Sequence, residues 1–179
     1  MKNKYLVIDF ETAGLDPQSL VLSFAFSAIE NNQIIKENKM LVRDTIGDPK
    51  FTTQEALNIN KLDPKICFDT GTKFEEIISI IQNYINDGYQ IVAQFAAFEK
   101  SFLDLRGLII EKFVDTRLLS KIAFPNEEKH GLKDICERFK IDNSNHHEVL
   151  NDVHVTALAL IKFIEMNIAI EATAPIYKR

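Results

Sequence analysis

The run Tyr5 to Pro17, YLVIDFETAGLDP, constrains this chain more than any other stretch. An apolar segment breaks off at Asp9 and Glu11, then turns over Gly14 and Asp16. In a strand, side chains two apart share a face, so Asp9 and Glu11 stand side by side where a buried strand leaves the core. Two carboxylates held together repel, and burying either one unpaired is costly. A divalent cation compensates both. Turn formation explains Gly14 and Asp16 but not acids at this spacing after a buried run.

Beyond Pro17 the chain reads as alternating strands and helices. Leu20 to Ile29 and Gln33 to Val42 are β-rich and flank Asn31-Asn32, so they form a hairpin that extends the first strand into an antiparallel meander. Arg43 to Cys67 carries Gly47, Pro49 and Pro64 and is expected to be mostly loop, with a short helix starting at the capping-box spacing Thr52 to Glu55 and running through Leu57. Phe74, Ile77, Ile78, Ile81, Tyr84 and Ile85 mark a helix that Gly88 ends. A strand at Gln90 to Ala93 comes next. Ala96 to Ile109 should be a helix with a Phe98, Phe102, Leu105, Ile109 stripe and Glu99 near its start.

Phe113 to Asp115 reads as a short strand, Thr116 to Ala123 and Leu132 to Phe139 as helices, and Glu148 to Ala169 as a long closing helix after a polar hinge at Asp142 to His146. The expected fold class is α/β, with a central mixed sheet flanked by helices. A chain of 179 residues is expected to form one domain, residues 1–171, with 172–179 as a tail around Pro175.

Composition removes several alternatives. No apolar run is long enough to span a bilayer, and the first strand begins where a signal segment would stand, so a cytoplasmic location is expected. Cys67 and Cys136 are too few and too far apart for a disulfide framework or zinc site and should be buried. A net charge of −5 argues against a broad basic nucleic-acid surface, and Lys121, Lys129, Lys133, Arg138 and Lys140 read as a solvated face. Two divalent cations add +4 and bring −5 to about −1, by formal charge counting. An acidic chain is therefore compatible with a metal-loaded cleft for phosphates.

Glu99 and Asp152 could join Asp9 and Glu11 at one edge of the sheet, with His147 five residues before Asp152. Two-metal phosphodiester hydrolysis requires such a set, carboxylates to hold the cations and a histidine near neutrality to take a proton from water. The chain resembles the DEDDh group of 3′-to-5′ exonucleases, which includes polymerase proofreading domains, ribonuclease T and oligoribonuclease. IDFETAGLDP looks like the first block of that group and HHEVLNDVHVTALAL like the third, with VDTRLLSKIAFPNEEKHGLKDICERFKI similar to the segment between. The resemblance covers Tyr5 to about Ile164.

It implies a ribonuclease-H-like fold, two Mg²⁺ or Mn²⁺ ions on Asp9, Glu11, Glu99 and Asp152, and His147 as general base; His146 is one residue too far from Asp152. It further implies attack at the 3′ end of single-stranded DNA or RNA with release of nucleoside monophosphates, by relatives that act alone or beside a polymerase. Residues after Glu11 would line the cleft, so Thr12 and Leu15 are candidate substrate contacts. Phe98 either stacks on a base or packs in the core.

The middle block departs from the pattern. Where the group usually has His-Asn and then Phe-Asp, this chain has Gln94-Phe95-Ala96-Ala97-Phe98-Glu99. Glutamate at the second Asp position reaches roughly 1.5 Å further, one C–C bond. The alternative is a relative that binds or scaffolds nucleic acid without cleaving it.

Overall fold

Alternation in the first strand decides the architecture. The structure, a computed structural model, describes residues 3–144 and 148–175. β1 (Lys4–Thr12) sends Leu6, Ile8 and Phe10 to one face and Tyr5 and Val7 to the other, and all five are buried. A strand apolar on both faces needs a layer against each. β2 (Val21–Glu30) is buried along nearly its whole length. It joins β3 (Gln33–Arg43) through Asn31 and Asn32, with φ of 51° and 61°. A two-residue turn with both φ positive matches the strand twist, and asparagine tolerates it.

β4 (Thr72–Lys73) adds parallel to the far side of β3. β5 (Gln90–Ala93) lies parallel to β1, and β6 (Val114–Asp115) parallel to β5. The mixed sheet has the order β4-β3-β2-β1-β5-β6. This is the α/β class expected, with the meander antiparallel as read.

Several expectations need correction. The segment 43–67 is not mostly loop. It holds a 3-10 turn at Pro49–Phe51, α1 (Gln54–Asn60) and the start of α2 (Pro64–Thr70). Pro49 and Pro64 open these helices, where a missing N–H costs nothing. Thr53, not Thr52, caps α1, accepting from the amide of Ala56. α3 (Phe74–Asn86) forms as read. α4 (Ala97–Leu105) stops four residues before Ile109, because Gly107 turns the chain at φ 86°. Leu105 and Ile109 are consequently exposed and do not continue the stripe.

α5 (Thr116–Ala123) and α6 (Leu132–Phe139) match their reading. α7 (Val149–Glu165) ends before Ala169, where Asn167 turns at φ 58°. The described start of the expected tail is hydrogen-bonded to the domain, Thr173 and Phe113 exchanging backbone bonds of 2.8 and 2.9 Å.

α3 and α4 cover one face of the sheet, setting Phe74, Ile77, Ile81 and Phe102 against Leu6, Phe24 and Phe26. On the other face α5, α6 and α7 bring Leu119, Ile135, Val153 and Phe163 against Tyr5, Val7 and Ala25. Full burial of each such side chain contributes about 1.5–3 kcal/mol. Cys67 and Cys136 are buried and free of disulfides.

Arg106, just past α4, is buried against Asp44. Its Nη2 donates to Asp44 Oδ2 at 2.6 Å and to the Ser19 carbonyl at 2.7 Å, and its Nη1 donates to the Pro17 carbonyl at 3.0 Å. Its Cζ lies 5.2 Å from the centre of the Phe74 ring and 5.3 Å from that of Phe102. Asp44 in turn accepts from the amides of Val21, Ile46 and Gly47.

Removing one partner strands the other charge in the core. Arg106→Ala should lower unfolding free energy by about 3–5 kcal/mol in urea denaturation, the usual cost of breaking a buried pair. Arg106→Lys should recover only part of it, because an ammonium lacks the planar fork.

Candidate active site

Asp9 and Glu11 continue the face of β1 that carries Tyr5 and Val7, the face covered by α7. Asp152 occupies the first turn of α7. One carboxylate oxygen from each of the three lies within 4.8 Å of the others. The pairing with β2 shifts here, Glu11 facing Ser23 but Thr12 facing Val21. A bulge of this kind bends a strand and re-aims its side chains.

Glu99 arrives from the first turn of α4, the helix that follows β5, the parallel neighbour of β1. It is 2% exposed, and its Oε2 has no hydrogen-bond partner among the described residues. Burial pushes its pKa well above the usual carboxylate range; its own backbone N–H offsets part of this and Asp115 adds to it. Asp9 is likewise pushed well up, first by burial and then by Glu99, Glu11 and Asp152. Glu11 is pushed up to about 7, by burial and then by Asp152. Asp9 therefore feels every other acid of the group.

Crowded, dehydrated carboxylates with an orphaned oxygen form a set of hard donors short of positive charge. That chemistry fits Mg²⁺ or Mn²⁺. Asp9, Glu11 and Asp152 have the spacing to hold one ion, and Glu99 stands close enough to Asp9 to raise its pKa.

Asp9, Glu11 and Asp152 open onto a cleft of about 670 Å³ lined also by Thr12, Leu15, Asn60 and Phe98, with Glu99 buried behind them. Leu15 is 80% exposed at its rim. Thr12 donates its hydroxyl to the Gly14 carbonyl at 2.7 Å, committing that side chain to the turn. A Cβ on Gly14 would lie 2.5 Å from the Phe51 carbonyl, so the turn packs there only as glycine. Phe98 is half-buried with its ring 4.8 Å from that of Phe102, which makes it both core and cleft wall.

Asn60 carries no signal in the sequence. Its amide donates to the Thr12 carbonyl at 3.0 Å, a partner 48 residues away, while its oxygen accepts from Leu62 N. It thereby pins the end of β1 to the turn between α1 and α2. Nothing local marks such a residue. His147 and His146 lie outside the described residues. Lys121, Lys129, Lys133 and Lys140 are exposed as expected, whereas Arg138 is half-buried and donates to Lys129 O and Glu127.

The shifts set a direction for metal-free stability. Glu11 titrates near 4.5 when unfolded and near 7 when folded, so between those values the folded state holds more protons. Stability from protonated Glu11 is thus present below pH 4.5 and is lost as pH rises through about 7. Asp9 shifts in the same direction. In EDTA the melting temperature should fall across this window, and adding Mn²⁺ at pH 7.5 should restore it, because an ion bound only by the folded state stabilises that state by mass action.

A family model described as Exonuclease (RNase_T) matches residues 6–160. Among curated relatives, the PolC-type DNA polymerase III of Thermotoga maritima is 27% identical over 90% of this chain, and that of Staphylococcus aureus 24% over 90%. The chain spans only 12% and 11% of their respective lengths. Among solved structures, the nuclease domain of 3′hExo, a DEDDh family member bound to rAMP, superposes with a TM-score of 0.80 at 11% identity, covering 98% of both chains. Exonuclease X in complex with 5′ overhanging duplex DNA gives 0.68 at 20% identity, covering 90% of this chain and 92% of that one. The zinc-bound E. coli ExoI–ssDNA complex gives 0.71 at 16%, over 93% and 41%.

Proposed function

The chain belongs to the exonuclease family, with the ribonuclease-H-like fold of DEDDh nucleases, and on that premise we propose that it is a two-metal 3′-to-5′ exonuclease acting on single-stranded DNA or RNA. The observation that carries this reading is the meeting of Asp9, Glu11 and Asp152 within 4.8 Å, beside buried Glu99, at a cleft that Leu15, Phe51, Ile59 and Phe98 also line. Asp9, Glu11 and Asp152 would hold one Mg²⁺ or Mn²⁺ ion, and Glu99 together with Asp9 would hold a second. When bound, the ions lower the pKa of the attacking water and neutralise charge on the scissile phosphate.

The remaining work falls to the chain. His147 accepts the proton of that water, its ordinary pKa lying near neutrality. Leu15 and Phe98 bracket the terminal base through apolar and aromatic contact, which tolerates any base. Thr12 presents backbone to the terminal sugar. The products are nucleoside monophosphates. The domain comprises residues 1–171, with 172–179 as its tail, and likeness to part of PolC-type polymerases supports a polymerase as partner.

With Mn²⁺, the protein should shorten a 5′-labelled single-stranded oligonucleotide stepwise from its 3′ end, and Asp9→Ala should abolish the ladder. DNA and RNA left intact by excess protein would overturn the proposal. Oligonucleotide bound equally by wild type and Asp152→Ala, without product from either, would replace it with a binding role.

A further inference from the structure

Asp115 is not among the proposed metal-holding residues, although its charge acts on Glu99, and its carboxylate takes four backbone amides from two helix starts. Phe95 N and Ala96 N donate to it at 3.3 and 3.1 Å, and Arg117 N and Leu118 N at 2.8 and 3.4 Å. The first pair precedes α4, and the second opens α5, for which Asp115 is the N-cap. α4 has no capping side chain of its own, since its N-cap position is Ala96.

The backbone before α4 is shaped for an anion. Phe95 sits at φ 69°, in the left-handed region, and Ala96 follows at φ −50° and ψ −22°. That succession turns neighbouring N–H groups to one side as a concave nest. The left-handed conformation is unfavourable for a residue with a side chain, and the hydrogen bonds to the Asp115 carboxylate offset it. Flanking contacts reinforce the junction. Thr116 donates its hydroxyl to the Ala93 carbonyl at 3.4 Å and also to Gln94 Oε1, and the Arg117 guanidinium lies 4.9 Å from the Phe95 ring centre. Residues 115–117 therefore clasp residues 93–96.

Glu99 follows three positions after Ala96, in the first turn of α4. Among the described residues its Oε2 has no hydrogen bond, and the carboxylate is aimed by the backbone N–H of Glu99 itself, so its direction depends on where that turn is held. We propose that Asp115 is a positioning residue for Glu99, fixing the start of α4 so that the Glu99 carboxylate is held beside Asp9. This rests on Glu99 serving as a metal ligand. The clasp supplies what a longer, looser side chain lacks.

The test is a double-mutant cycle read in two ways. Asp115→Asn keeps the shape but exchanges an acceptor for a donor. It should raise the Mn²⁺ concentration for half-maximal activity and lower kcat, each about tenfold, the usual scale for losing a group that orients a metal ligand. In a Glu99→Gln background the same change should do almost nothing further to either. Thermal stability should fall equally in both backgrounds, which separates positioning from a general structural role. Asp115→Ser, still able to cap α5 but too short to fill the nest, should fold and show the same activity loss.

Mn²⁺ titration followed by electron paramagnetic resonance reads the coupling without turnover, as a weakened second ion in Asp115→Asn and no additional weakening beside Glu99→Gln. Equal losses in both backgrounds, or wild-type Mn²⁺ dependence in Asp115→Asn, would overturn the inference while leaving the exonuclease reading intact. A wild-type protein that binds no Mn²⁺ would overturn both.

Discussion

Burial of Arg106 against Asp44 holds the two walls of the cleft in register. The guanidinium stands at the end of α4, the helix that carries Glu99, and donates to carbonyls of Pro17 and Ser19 in the loop that carries Leu15. Asp44 extends the same connection to the first residue of β2 through Val21 N. Taking two charges out of water is unfavourable unless every remaining donor and acceptor finds a partner. Here the carboxylate also receives three backbone amides and the guanidinium lies against the Phe74 and Phe102 rings, so the pair is a satisfied network.

The acids of the cleft, by contrast, are a source of strain. Asp9, Glu11 and Glu99 are each pushed toward protonation chiefly by burial, and their mutual charge adds to it. A domain of this size is stabilised by only about 5–15 kcal/mol in total, so such a cluster is a large local cost. It persists because the sheet and helices fix the backbone on which the acids ride. On the proposed function, the same cost would favour a divalent cation, since binding would remove repulsion already present in the folded chain.

How far the sequence is legible depends on the range of the interactions concerned. The Asn31-Asn32 turn, the strand at Gln90 to Ala93 and the helices Thr116 to Ala123 and Leu132 to Phe139 depend on neighbours in the chain, and their bounds are legible in it. The helices between Arg43 and Cys67 are obscured because proline reads as a breaker unless its position at a helix start is known. α4 reads too long because apolar Leu105 and Ile109 keep the helical spacing past the point where Gly107 turns the chain. Asn60 and Asp115 escape because their partners lie far away in sequence, a carbonyl across the cleft and amides on the neighbouring strand connection.

By itself, the sequence determined that Asp9 and Glu11 share one face at the end of a buried strand, since a period of two leaves no other outcome. It also carried the family resemblance that named Glu99, His147 and Asp152 as their companions. Only the tertiary structure decided that Asp152 reaches within 4.8 Å of the strand acids, that Glu99 is buried with an oxygen unpartnered among the described residues, and that Asp115 holds the turn before it. Those facts depend on how helices dock on a sheet, through apolar packing and hydrogen bonds between residues distant in the chain, and no local pattern encodes such contacts.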